Sequence, residues 1–244
     1  MRVVIISQAR MTSTRLPGKV LKEVLGKPLL SYQIERLKRA ALADEVVIAT
    51  SENKSDDAIV ELCERMGVQY NRGSEHDVLE RYYETARKYK ADAVVRVTAD
   101  SPLIDPREID RVIGYYLENR DQYDYVSNVI ERTFPRGMDT EIFSMQALET
   151  AFKQAKDQSE REHVTLHIYK NSQRFRLANV SNSIDLSFLR WTVDEPDDFK
   201  LIKIILEVIY PETPNFSMND ILALLERQPE LKQINAHIEQ KKVI

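Results

Sequence analysis

Three short runs of apolar residues, Val3 to Ile6, Glu45 to Thr50 (EVVIAT) and Ala93 to Thr98 (AVVRVT), alternate with longer stretches of helical periodicity. That alternation is the pattern of βαβ units and predicts a mostly parallel sheet. Between the first two runs, Pro28 to Ala40 has Leu29, Leu30, Ile34 and Leu37 at helical spacing, with Pro28 suited to a first helical turn. Ser55 to Met66 predicts a second helix opened by a Ser or Asp cap, Val68 to Tyr70 a short strand, and Asp77 to Tyr89 a third helix. Pro102 stops pairing soon after the strand Ala93 to Thr98. The first hundred residues therefore read as a doubly wound α/β half.

Beyond them the pattern loosens. It predicts helices over about Pro106 to Asn119, Gln146 to Asp157, Glu160 to Asn171, Asp197 to Ile209 and from Met218. Strands are expected at Tyr125 to Val129, Thr140 to Phe143, Phe175 to Val180 and Arg190 to Val193. The irregular polar stretch 131–182 is the candidate for an inserted lid or dimerisation arm within one domain over 1–244.

Composition narrows the function classes. The chain of 244 residues is 43% hydrophobic and 30% charged, and no segment approaches the roughly 20 apolar residues of a membrane span. The run after Met1-Arg2 is too short for a signal-peptide core, so a cytoplasmic protein is expected. The single Cys63 has no intramolecular partner and reads as a reduced core residue. A formal charge of −4 gives no global basic footprint for nucleic acid, so any anion site must be local.

One stretch supplies it. "ARMTSTRLPGKVL", Ala9 to Leu21, follows the first strand, where doubly wound folds bind ligands. Arg10, Arg15 and Lys19 would converge there with no carboxylate between them, while Gly18 and Pro17 shape the turn. Arginine forks match phosphate oxygens and lysine adds a mobile point charge, which suits a triphosphate better than a merely solvated loop. The stretch is not a P-loop, since Ser13 and Val20 stand where glycine and Ser/Thr are needed. With Gly18 its only glycine, it is no dinucleotide fingerprint either.

A triphosphate calls for a divalent cation and hard oxygen ligands. Asp100 in "RVTADSPLID" and Asp194 in "RWTVDEPDDF" each follow an expected strand, and parallel strands would bring both to one sheet edge facing the basic loop. Either could instead cap the turn or helix beside it. Asp197 and Asp198 read as first-turn residues favoured by the helix dipole.

These residues carry a resemblance. "ARMTSTRLPGKVLKEVLGKPLL" resembles the N-terminal signature of the sugar cytidylyltransferases, which make CMP-activated 3-deoxy-manno-octulosonate and sialic acids. "RGSEHDVLERYYETA", "VVRVTADSPLIDP" and "REHVT" look closest to the branch of spore coat polysaccharide biosynthesis cytidylyltransferase-like proteins. The resemblance runs in order from the first strand to "VDEPDDF". It implies a three-layer α/β/α, Rossmann-like nucleotide-diphospho-sugar transferase fold using CTP and Mg2+, and a homodimer. By motif, Arg10, Arg15 and Lys19 would hold the triphosphate, Asp100 and Asp194 the metal, and the Gln8-Ala9 edge would help read the base, with Arg72 and Ser74 beside the nucleotide or merely ordering a loop.

The keto-acid sugar enzymes read Pro-Ala-Arg where this chain has Gln8-Ala9-Arg10, so the acceptor sugar is left open. Acceptor contacts are expected in "TFPRGMDTEIF" and "SEREHVTLHIY", with Arg136 pairing an acidic sugar's carboxylate and Asp139, Glu141, Arg161 and His163 bonding hydroxyls. His163 and His167 stand four apart on an expected helix, a spacing that with Glu162 alone beside it does not make a zinc site. Two rival readings are weaker. A glycosyltransferase of related fold has no need of the dense basic loop, and a non-catalytic nucleotide-binding subunit should have lost Lys19 or one acid.

Overall fold

The computed structural model describes residues 1–240. Along the first strand, β1 (Val3–Gln8), Val3 and Ile5 face one side and Val4 and Ile6 the other. Both sides are apolar because both are covered by helices, as a parallel sheet requires. The chain continues through a small hairpin, β2 (Glu23–Val24) with β3 (Lys27–Pro28), into α1 (Leu29–Leu37). There follow β4 (Glu45–Ser51), α2 (Asp57–Arg65), β5 (Gln69–Gly73), α3 (Val78–Lys88), β6 (Ala93–Thr98) and α4 (Pro106–Asn119). The rest comprises β7 (Tyr125–Ser127), β8 (Glu141–Ser144), α5 (Met145–Gln154), α6 (Gln158–Glu162), α7 (Leu166–Lys170), β9 (Leu177–Asn179), α8 (Pro196–Ile209) and α9 (Met218–Arg227).

The seven-stranded sheet has the order β5-β4-β1-β6-β8-β7-β9, with β8 antiparallel to both neighbours and the other pairings parallel. One layer buries Leu30, Ile34, Ile59, Ile109 and Ile113 from α1, α2 and α4; the opposite layer buries Leu79, Tyr82 and Leu148 from α3 and α5. A third cluster, centred on Trp191 with α8 and α9, closes one end. Cys63 is buried in the first layer, where loss of water pushes its thiol up to about 12. Tyr82, Tyr83 and Tyr116 are buried as core residues, whereas Tyr115 is exposed.

Four expectations change. Arg190 to Val193 is no strand: a single bridge joins Arg190 to Arg136, and the segment is held by Trp191 N–H to the Arg136 carbonyl (2.7 Å) and Val193 N–H to the Asp100 carbonyl (2.8 Å). The helix expected over Glu160 to Asn171 breaks at Val164, whose φ of 34° is left-handed, so His163 and His167 do not share one helix. Residues 131–182, read as a lid or arm, supply β8 and β9 to the central sheet and α5 to a covering layer. No side-chain cap opens α2, because Asp56 turns inward instead.

Candidate functional site

β1 ends at the sheet's carboxyl edge, and the loop after it is fastened at both ends. Ala9 N–H donates to the Ala49 carbonyl (3.0 Å), Met11 N–H to Asp56 Oδ1 (2.8 Å) and Gly18 N–H to the Met11 carbonyl (2.9 Å). Asp56 is fully buried and also accepts from the Thr50 hydroxyl and from the Ser51 N–H and hydroxyl, so this carboxylate anchors the loop to the end of β4. Gly18, at φ 67°, meets the left-handed turn that delivers Lys19.

Lys19 Nζ donates to Asp100 Oδ2 and to Asp194 Oδ1, both at 2.8 Å. Arg15 lies 2.9 Å from the same Asp194 oxygen and 3.5 Å from Glu195. Burial works to lower the Lys19 ammonium, but the two carboxylates outweigh it and raise the group above its ordinary value. For Asp100 the loss of water pushes the carboxyl up, and the Lys19 charge together with hydrogen bonds from Lys19 and Thr98 overcomes this and holds it low. The Thr98 hydroxyl donates to Asp100 Oδ1 at 2.6 Å.

Asp194 reaches this point from a loop, not a strand. Arg190 donates to Asp194 Oδ2 (2.9 Å) and to both oxygens of buried Asp198 (2.8 and 3.0 Å), and Asp198 accepts from the N–H groups of Asp194 and Glu195. Asp198 thus does the work at the α8 amino end and is more than a dipole-favoured surface acid, which leaves the Asp194 carboxylate to face Lys19. Gly137 matters here as well. Its φ is 101°, and a Cβ would stand 2.7 Å from the Trp191 carbonyl, so only glycine lets the Arg136 segment lie against the chain carrying Asp194.

The remaining expected residues separate into groups. Arg72 donates to the carbonyls of Ser51 and Asn53 and pairs with Asp57, and the Ser74 hydroxyl accepts from Asp77 N–H; both order connections at the sheet edge. Asp139 is taken by a two-point pair with Arg132 (2.6 and 2.7 Å). Glu141 is buried against Arg96, the Tyr125 hydroxyl (2.5 Å) and the Thr165 hydroxyl (2.8 Å), a set that leaves it inside the sheet's polar interior. Arg161 braces the start of α3 through Asp77. Arg136 differs: among the described residues its guanidinium has no hydrogen bond or ion pair, and burial with the neighbouring Arg132 lowers it. Gln8, Ala9, Arg10 and His163 line a separate cavity with Val78, Arg81 and Glu162. Arg10 therefore does not join Arg15 and Lys19 in the ion-pair cluster.

Sequence reasoning missed Asp56, Arg190 and Arg81. The spacing Arg190, Asp194, Asp198, at intervals of four, was the available signal for the second. Two hard carboxylates flanking one cation position suit Mg2+, which takes one or two protein carboxylates and fills its shell with phosphate oxygens and water. Among the described residues no group of three His, Cys, Asp or Glu could hold a metal ion. Among them, too, no helix is long and apolar enough to cross a membrane.

This parallel-sheet edge with a basic loop facing paired acids defines a nucleotidyltransferase of the Rossmann-like α/β class. A sequence profile described as "Cytidylyltransferase" matches residues 3–243, and the chain belongs to that family of CTP-dependent enzymes. It is similar to a cytidylyltransferase of Leptospira borgpetersenii, with a TM-score of 0.92 and 33% identity over 99% of this chain and 100% of the other. It is 31% identical to the spore coat polysaccharide biosynthesis protein SpsF of Bacillus subtilis, over 93% of this chain and 95% of that protein. It is also 36% identical to the 3-deoxy-manno-octulosonate cytidylyltransferase of Geobacter metallireducens, across 47% of this chain and 44% of that one.

Proposed function

We infer that the chain transfers CMP from CTP to a hydroxyl of an acidic sugar and releases pyrophosphate, in the building of a cell-surface polysaccharide. The observation that carries this reading is the Lys19 ammonium 2.8 Å from both Asp100 and Asp194, with Arg15 on the second acid. A cluster with this balance of charge can exchange partners. Lys19 and Arg15 are placed to turn to the oxygens of a triphosphate, and Asp100 and Asp194 would then hold Mg2+. Bound there, the ion would supply charge neutralisation and lower the cost of deprotonating the attacking hydroxyl.

The chain's own residues do the rest. The loop fastened by Asp56 and Gly18 keeps Lys19 and Arg15 within reach of the charge that builds on the departing pyrophosphate, and once turned to it they stabilise that charge. The acceptor oxygen forms its bond to the α-phosphorus as the bond to the bridging oxygen breaks, and its proton passes to water. No covalent intermediate on the protein is required. Arg136, whose guanidinium has no hydrogen bond or ion pair among the described residues, is available to an acidic acceptor. Incubation with CTP, Mg2+ and a panel of sugar acids should release pyrophosphate only when both substrates are present, and Asp100→Asn should lower the rate at least about 100-fold with folding intact. An unchanged rate in that variant would contradict the assignment.

A further inference from the structure

The turn that carries Asp100 is held from the side of α1. After β6 the chain makes two consecutive tight turns, with Ser101 N–H donating to the Thr98 carbonyl (3.2 Å) and Ile104 N–H to the Ser101 carbonyl (3.3 Å). The same two carbonyls, and that of Ile104, also accept from two buried side chains one helical turn apart on α1. Gln33 Nε2 donates to the Thr98 carbonyl at 2.6 Å and to the Ser101 carbonyl at 3.2 Å, and Arg36 Nε donates to the Ile104 carbonyl at 2.6 Å. Gln33 is fully buried beside Leu30, Ile34 and Leu37, which are apolar core. A glutamine costs more to bury than a leucine unless its amide is paired, and here the pairing runs to the turn. Two carbonyls on one side of the amide admit only its NH2 end, and its Oε1 accepts from the Ser7 hydroxyl of β1 at 2.7 Å.

The residue between the two bonded carbonyls is Asp100. Its side chain leaves the turn to meet the Thr98 hydroxyl and Lys19. Its own carbonyl accepts from Val193 N–H (2.8 Å) and the Thr192 hydroxyl (3.2 Å), immediately before Asp194 in the chain. Asp194 therefore hangs on the turn that Gln33 holds. Arg36 acts further along, joining the Ile104 carbonyl to that of Phe216, whereas Gln33 bonds the backbone on both sides of Asp100.

We propose that Gln33 is a positioning residue: its amide fixes the turn on both sides of Asp100 and, through the Asp100 carbonyl, the placement of both acids that face Lys19. Buried behind the turn, it acts through Asp100 and Asp194 and not on a substrate. Its consequence for nucleotide binding rests on the cytidylyl-transfer reading; its hold on the turn does not.

The test compares the full-length parent chain with Gln33→Met and Ser7→Ala. Methionine keeps the length of the side chain and removes both donors. Ser7→Ala strips a buried partner from the same amide but leaves its donors in place, so it controls for lost stability. The first reading needs no ligand: amide hydrogen exchange at Ser101 and Val193, whose N–H groups close the turn and reach the Asp100 carbonyl. Relative to the amides of β4, Gln33→Met should speed both about tenfold and Ser7→Ala should not. The second reading is calorimetric titration of CTP in EDTA and in saturating Mg2+. The gain in CTP affinity that Mg2+ brings should shrink about tenfold in Gln33→Met and stay unchanged in Ser7→Ala. Loss of folded protein alone lowers the number of sites and leaves that gain where it was. If Gln33→Met does not fold, Gln33→Asn, which keeps the amide but withdraws it by a methylene, is put through the same two readings. Exchange that is unchanged in the Gln33 variant, or sped equally by Ser7→Ala, would overturn the proposal, as would an unaltered Mg2+ gain. If CTP binds none of these proteins, the cytidylyl-transfer reading falls, and the exchange data still decide whether Gln33 holds the turn.

Discussion

The two polar regions at the end of β1 are built on opposite terms. Around Lys19, each charge has an opposite partner within 3 Å: Asp100 and Asp194 for Lys19, Asp194 for Arg15, Asp194 and Asp198 for Arg190. Around Arg81, two guanidiniums face a cavity with Glu162 as its one lining carboxylate. The first region is stable as it stands and can trade internal ion pairs for equivalent ones to a phosphate and a metal. In the second, Arg81 Nε and Gln8 Oε1 are buried without a hydrogen-bond partner among the described residues. A transferred group needs the former, where charge moves during reaction.

The sharpest way to break this contrast is to remove the cation between the two acids. Lys19→Met should lower turnover about 100- to 1,000-fold and leave Asp100 and Asp194 repelling each other. Its melting temperature should therefore fall and should recover in millimolar Mg2+ more than that of the parent chain. A variant whose stability ignores Mg2+ would show that the two carboxylates do not form one cation position.

A smaller effect is expected one step back, at Asp198. Asp198→Asn strips the buried Arg190 of its two-point partner and should cost about 3 kcal/mol at neutral pH by denaturant unfolding. Burial pushes the Asp198 carboxyl up, but hydrogen bonds from Arg190, Asn235 and the Asp194 backbone hold it below its ordinary value. A carboxyl lowered by folding contributes stability that is complete above the unfolded value near 4 and is lost as pH falls through the folded one. The parent chain should thus lose stability below about pH 4 more steeply than Asp198→Asn; parallel acid limbs would count against the pairing. Smaller again, Gly137→Ala should cost about 2 kcal/mol, because the new Cβ meets the Trp191 backbone and the φ of 101° disfavours a side chain. An unchanged unfolding midpoint there would mean that the Arg136 and Asp194 segments are not tightly coupled.

Much of the first half was legible in the sequence for a physical reason. β1, β4 and β6 are buried on both faces, so their apolar runs are unbroken, and the helices between them are amphipathic with clear ends. The carboxyl-edge position of Asp100 followed from that alone. Asp194 was expected at the end of a strand, yet it meets Lys19 from a loop held by Arg190 four positions back and by the Asp100 carbonyl, the latter a contact between residues some ninety positions apart that no local pattern reports. The same limit hid Asp56, a buried acid whose partners are backbone and hydroxyl groups. Glu141 and Arg161 looked like ligands because surface and interior ion pairs use the same residue types as binding sites. Arg10 looked like a partner of Lys19 because only eight residues of one loop separate them, and only the closed loop turns it toward Arg81.

The central claim is that the Lys19, Asp100 and Asp194 cluster receives the triphosphate of CTP. Calorimetric titration of CTP, UTP, ATP and GTP in Mg2+, with the parent chain and Asp100→Asn side by side, tests it most directly. The account predicts saturable binding of CTP in preference to the other three, weakened at least about tenfold in the variant. Absence of binding by all four nucleotides, or equal affinity of CTP for both proteins, would contradict it.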